Sequence, residues 1–156
     1  MSKAQSHRDS VIKEVYTSEQ SYFDAMQKCL DQIIDPLYQK NSSREITIPD
    51  TITVLFEKYK SVVRVSSNFI NNMKAFIDAG QQISIMTVFG TFKDEIVTEY
   101  FQNIQLYHDV MPKIFAERAK NTQFNNFLTE KETELQVTFQ SFLILPIQRL
   151  PRYRLL

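Results

Sequence analysis

Apolar side chains recur at three-and-four spacing along most of the chain, which is the spacing that places them on one face of an α-helix. A first helix is predicted to begin after an N-cap at Asp9 or Ser10. Its apolar stripe consists of Val11, Ile12, Val15, Tyr16, Tyr22, Phe23, Met26, Leu30, Ile33 and Ile34. The pattern predicts an amphipathic helix that buries this stripe.

A second helix is predicted from about Pro49, with Thr47 as its cap and Gly80 as its C-terminal cap. Its apolar stripe runs from Ile52 to Ile77 and is interrupted by one small polar residue, Ser66. At 1.5 Å per residue the helix would be roughly 45 Å long. Helices in compact domains are usually much shorter, so the length indicates an elongated bundle.

Two further helices are predicted, over residues 83–101 and 107–127, with a bend in the second of them at Pro112. The chain has only two glycines, Gly80 and Gly90. Tight β-hairpins favour glycine or asparagine in their turns. The predicted fold class is therefore all-α, an elongated bundle of long, kinked antiparallel helices.

The composition excludes several classes of function. Lys plus Arg and Asp plus Glu each number 18, so the formal net charge is zero, which argues against a nucleic-acid-binding surface. Cys29 is the only cysteine, and no disulfide, metal site or cofactor is predicted. His7 and His108 have no evident catalytic partner, so no catalytic residue is predicted. Without a signal peptide or a membrane-length apolar run, a cytoplasmic protein is expected.

Two features break the amphipathic pattern. Glu19 lies on or beside the apolar face of the first helix, where a carboxylate must be paired within the fold, solvated at a groove, or reserved for a partner. A fifth helix is predicted to open around 133–135 and to be kinked or ended by Pro146 and Pro151. The second feature is the charge of this C-terminal part, which is strongly basic and has no acidic residue after Glu134. Arginines there suit carboxylates on a partner.

The C-terminal segment resembles the most diagnostic segment of the Dbl-homology domain of Rho-family guanine nucleotide exchange factors. Residues 143–156 read LILPIQRLPRYRLL, and the family pattern is Leu-Ile-x-Pro-x-Gln-Arg-x-x-Lys/Arg-Tyr-x-Leu-Leu. Residues 11–22, VIKEVYTSEQSY, resemble its first block, with Val15 for leucine and Ser18 for threonine. Residues 54–59, with Phe69 and Ile70, are similar to the second block, and the three blocks occur in the family's order.

The resemblance implies a binding site for a Rho-family small GTPase, preferentially in its nucleotide-free form. Glu19 would engage the first switch region of the GTPase, and Arg152 would face the second. Gln148 would lie close to the glutamate on the same composite face. Three further positions flank these contacts: Ser18, Arg149 and Leu150. Binding would remodel the switch regions and the magnesium site and so release GDP, without covalent chemistry.

The resemblance also implies an incomplete site. The family's domain continues beyond the position of Leu156 with a helix that supplies part of the GTPase-binding face. We therefore expect a flexible N-terminus over 1–8 and a partial Dbl-homology domain over 9–156, with self-association through the truncated helix. Membrane contact would come only from a pleckstrin-homology-type module absent from this chain, which would recruit the full-length protein to the plasma membrane. The alternative is an inactive scaffold with the same fold. Replacing Glu19 or Arg152 is expected to reduce exchange with little loss of folding.

Overall fold

The computed structural model describes residues 3–80 and 85–153, and all regular elements in these two ranges are helices. In chain order they are α1 (Lys3–Cys29), a π-helical turn (Leu30–Ile34), α2 (Asp35–Ser42), α3 (Asp50–Asp78), α4 (Ile85–Lys120), α5 (Thr122–Leu135), α6 (Phe139–Leu143) and α7 (Leu145–Tyr153). The predicted all-α fold class is confirmed.

The core lies along α3, which packs against both α1 and α4. With 29 residues, α3 is about 44 Å long, as its apolar stripe predicts. Large aromatic side chains fill the space between the long helices. Phe69 of α3, for example, makes edge-on contacts with Phe89 and Phe92 of α4 and with Tyr153 of α7. These contacts place α7 against the centre of the bundle.

The first helix differs from the prediction at both ends. α1 already begins at Lys3, so the predicted N-cap at Asp9 or Ser10 is wrong. The preceding residues are mostly good helix formers and include no proline or glycine to stop the helix. At the other end, the N–H of Asp35 bonds to the carbonyl of Leu30 in a π-helical turn. Pro36 follows, and the wider turn carries the chain past a residue that cannot donate a helical bond.

The ends of α3 are close to their predicted places. Pro49 is itself the N-cap residue, in an extended conformation, and the predicted cap at Thr47 is wrong. Thr47 instead accepts a hydrogen bond at its carbonyl from the Asn121 side chain, at 2.9 Å. At the C-terminal end, Ala79 is the cap, and Gly80 follows with φ +65°. The predicted cap, Gly80, thus lies one residue beyond the observed cap, and its left-handed conformation ends the helix.

The region between 85 and 135 is divided differently from the prediction. α4 continues through Pro112, so one helix of 36 residues replaces two predicted helices, and the predicted start near Tyr107 is wrong. Pro112 is exposed, where water can satisfy the carbonyl that loses its partner. The break comes at Asn121, whose side chain accepts a hydrogen bond from the N–H of Phe124 and so caps α5. Ile83, predicted in the third helix, lies outside the described residues.

The predicted fifth helix is also wrong as a single element. α5 ends at Leu135, where the fifth helix was predicted to open. Gln136 follows with φ +55°, and Thr138 caps α6. The predicted interruption near Pro146 is confirmed, because α6 ends before it and α7 begins one residue ahead of it. Pro146 lies in the first turn of α7, where no helical donor is needed, and Pro151 lies inside the helix.

A polar corner joins α4, α5 and α6. Arg118 donates to both oxygens of Glu132, with Nη2 at 2.7 Å from Oε1 and Nη1 at 3.2 Å from Oε2. The Oε2 atom also accepts the N–H of Phe139 at 2.8 Å. Burial raises the pKa of Glu132, but the hydrogen bonds from Arg118 and Phe139 and the charge of Arg118 lower it by more, so the net pKa lies below 4.5.

This corner predicts an acid-dependent loss of stability. Because the pKa of Glu132 is lower in the folded than in the unfolded state, its contribution is fully present above the unfolded pKa near 4.5 and is lost as the pH falls through the folded pKa. Urea unfolding between pH 7 and pH 3 should therefore show a smaller acid loss for Glu132→Gln than for the wild type. Glu134→Gln, an exposed change on the same helix, should follow the wild type. Equal acid slopes for wild type and Glu132→Gln would contradict this assignment.

Candidate functional site

The structure brings the two predicted segments together, although they are about 130 residues apart in the chain. Ser18 and Glu19 lie on α1, and α7 packs against α1. The predicted residues divide by exposure. Glu19 and Arg149 are buried, and Gln148 and Arg152 are exposed. Ser18 and Leu150 are half-buried.

Glu19 forms the centre of a buried polar cluster. Its side chain has no exposed surface, and its Oε1 receives a fork from Arg149, with Nη2 at 2.9 Å and Nε at 3.0 Å. Ser66 of α3 donates to Oε2 at 2.6 Å. The Tyr153 hydroxyl lies 2.8 Å from Oε1 and 2.9 Å from Oε2. Of the three environments that the sequence left open for Glu19, the structure shows pairing within the fold.

Arg149 is held on all sides of its guanidinium group. Nη1 donates to the hydroxyl of Ser18. The rings of Tyr22 and Tyr153 lie on the guanidinium, with their centroids 5.5 Å and 5.1 Å from Cζ. Burial lowers the pKa of Arg149, but the charge of Glu19 and the contact with Tyr153 raise it by more, and the net pKa is raised. The arginine is therefore charged and supplies the positive charge that a buried carboxylate requires.

Three tyrosine hydroxyls extend the cluster across the bundle. Tyr153 lies 3.1 Å from Tyr100 of α4, and Tyr100 lies 2.8 Å from Tyr22 of α1. Burial raises the pKa of all three well above 10, so each hydroxyl keeps its one proton at neutral pH. Because Tyr153 donates to the carboxylate, Tyr100 must donate to Tyr153 and Tyr22 to Tyr100. All three hydroxyl groups therefore donate in the direction of Glu19.

Four members of this cluster were not predicted as site residues: Ser66, Tyr22, Tyr100 and Tyr153. Ser66 carried a signal, because it is a polar residue inside the apolar stripe of α3. The tyrosines carried none, since a tyrosine on an apolar stripe is most often part of the core. Gln148 was expected close to Glu19, but Arg149 takes that place. Successive helical residues point about 100° apart, so Gln148 faces solvent when Arg149 faces inward.

The outer side of the cluster is a mixed polar surface. Arg152 is exposed and, among residues 3–80 and 85–153, forms no ion pair. A shallow groove runs along α1 beside Ser18, and its lining residues are Ser10, Lys13, Glu14, Thr17, Ser18 and Ser21. In the part of the chain that the structure describes, no cluster of three His, Cys, Asp or Glu side chains could hold a metal ion. The same part contains no helix long and apolar enough to cross a membrane.

A profile described as the RhoGEF domain matches residues 11–156. Curated proteins also match over nearly the whole chain. Rac guanine nucleotide exchange factor JJ of Dictyostelium discoideum is 25% identical over 154 residues, which cover 96% of this chain and 13% of that protein. Rho guanine nucleotide exchange factor 17 of Homo sapiens is 22% identical over 154 residues, covering 96% of this chain and 7% of that protein.

Ephexin-1 of Homo sapiens is 25% identical over 150 residues, which cover 92% of this chain and 20% of that protein. The chain therefore spans at most a fifth of the length of these three relatives. No solved structure matches the chain significantly.

Proposed function

Because the chain belongs to the RhoGEF domain family, we propose that it binds a Rho-family small GTPase and promotes the release of GDP. The observation that supports this most strongly is the packing of the two signature segments against each other. Glu19 of α1 and Arg149 of α7 form a direct ion pair at 2.9 Å, and exposed Gln148 and Arg152 lie on the same short helix. The predicted site residues thus belong to two adjoining helices.

Exchange by such a surface is a matter of linkage, because no bond of the nucleotide is broken. If the domain binds nucleotide-free GTPase better than the loaded form, its binding must lower the affinity of the GTPase for nucleotide by the same factor. The switch segments, which nucleotide phosphate and Mg²⁺ hold in place, are the part of the GTPase that is shifted. Each tenfold gain in release rate corresponds to about 1.4 kcal/mol of barrier, so several contacts must act together.

Arg152 is the residue best placed for a direct contact. Its guanidinium is exposed, so it is available to a carboxylate of the second switch region, and a guanidinium can bind a carboxylate in bidentate geometry. Gln148, one helical turn earlier, offers a donor and an acceptor beside it. Ser18 and Leu150, both half-buried, are included in the proposed site as flanking residues. Glu19 is different, since it can reach the first switch region only after leaving its buried partners.

The test of this function is the release of GDP from purified Rho-family GTPases in the presence of the full-length protein. An exchange factor accelerates release from at least one member. An inactive scaffold with the same fold would bind a GTPase without accelerating release, and that result would replace the proposed function with the alternative.

A further inference from the structure

We propose that Ser66, Arg149 and Tyr153 form a latch that holds Glu19 in a buried resting state, and that GTPase binding requires the latch to open. The inference rests on the proposed function, because the partner of the released carboxylate is the GTPase. Ser66 is then a positioning residue whose hydrogen bond opposes exchange. Its loss should make the protein a faster exchange factor.

In the resting state, the carboxylate of Glu19 is not accessible to a second protein. The side chain has no exposed surface. Three residues direct four donor hydrogens at its two oxygens, through contacts of 2.6 to 3.0 Å: one from Ser66, two from Arg149, and one from Tyr153 that is shared between both oxygens. A carboxylate has about four lone-pair sites, so its capacity is filled within the fold. A contact between Glu19 and a second protein therefore needs a second conformation.

When Glu19 is released, Arg149 keeps one of its other contacts. Arg149 and Tyr153 belong to the same helix, so Arg149 keeps the face of the Tyr153 ring when α7 moves. Cation–π contacts of this kind stabilise a guanidinium that is removed from water. This contact offsets part of the cost of separating the arginine from the glutamate.

The helix that carries two of the three latch residues is the one best suited to move. α7 has nine residues, and Pro151 inside it lacks the N–H that a helical bond requires. α1 and α3, which carry Glu19 and Ser66, have 27 and 29 residues. Short elements with fewer backbone hydrogen bonds open locally at lower cost than long ones. Displacement of α7 would remove Arg149 and Tyr153 from the carboxylate together.

The GTPase can open the latch only by binding the released state more tightly than the resting state. A hydrogen bond to a charged group is among the stronger ones in proteins. Removing the Ser66 donor is therefore expected to shift the equilibrium about tenfold toward release. The GTPase would then have less opening to drive, so its binding and exchange should be faster.

The latch can be tested without any GTPase, by labelling exposed carboxylates of the full-length protein with a water-soluble carbodiimide and an amine. Mass spectrometry then reports the labelling rate at Glu19. We expect slow labelling in the wild type and about tenfold faster labelling in Ser66→Ala. Ser67→Ala, a half-buried serine on the same helix, is the matched control and should label as the wild type does. Tyr153→Phe removes a second donor and should also speed labelling.

Equal labelling of Glu19 in the wild type, Ser66→Ala and Tyr153→Phe would overturn the latch. Exchange measurements on the same proteins test its role. Faster exchange in Ser66→Ala than in Ser67→Ala supports gating, whereas slower or equal exchange would show that Ser66 does not restrain the active state. Absence of exchange by every protein, wild type included, contradicts the proposed function, while the labelling result decides the latch by itself.

Discussion

Replacing Glu19 by alanine is expected to lower the free energy of unfolding by about 3–5 kcal/mol and to abolish exchange. The change leaves the charge of Arg149 buried without its carboxylate, and an unpaired buried charge is among the most destabilising defects in a protein. The sequence alone predicted little loss of folding, on the assumption that Glu19 lies at the partner surface. Its complete burial changes that expectation.

A double-mutant cycle tests the cause of this loss. Arg149→Met alone should be as harmful as Glu19→Ala, because it leaves the carboxylate unpaired. The double variant should be less destabilised than the sum of the two, since it removes both charges. Urea unfolding gives all three free energies, and Glu14→Ala, an exposed change on the same helix, should be close to neutral. Additive losses from the two single changes would contradict the buried ion pair.

Replacing Arg152 by glutamate is expected to reduce GDP release by at least tenfold, which is about 1.4 kcal/mol of barrier, with no measurable change in stability. The side chain is exposed and, among the described residues, has no ion pair to lose, and surface changes of this kind usually alter stability by less than about 0.5 kcal/mol. The reversed charge would repel the acidic side chains that the proposal places opposite it.

The control for this change is Arg64→Glu, the same substitution at an exposed arginine of α3. It should leave exchange at the wild-type rate, which separates a local contact from the effect of net charge. Arg152→Lys keeps the charge but loses the bidentate geometry and should fall between the two. Exchange at the wild-type rate in a folded Arg152→Glu protein would remove Arg152 from the site.

The helical fold was predictable because its signals are local. The ends of α3 were predicted to within a residue, because its apolar stripe runs from Ile52 to Ile77 and a glycine, Gly80, follows. The breaks around α5 were not predictable in the same way. Asn121 caps α5 through its side chain, and Pro112 passes inside α4 because it lies on the exposed side. Both depend on which face is buried, and this is a property of the packed bundle.

The candidate site was predictable in its members more than in its arrangement. Glu19 was recognised because a carboxylate on an apolar stripe requires a partner. The sequence alone does not identify which of several arginines pairs with it. The choice of Arg149 over its neighbours follows from the rotation of α7 against α1. Ser66 enters only because α3 lies on the other side of Glu19. Contacts of this kind join residues far apart in sequence.

The most direct measurement is the release of a fluorescent guanine nucleotide from a panel of purified Rho-family GTPases, with and without the full-length protein. The account predicts accelerated release from at least one GTPase, and loss of that acceleration in Arg152→Glu. Release at the intrinsic rate from every GTPase, by a protein that is folded and stable, would contradict it.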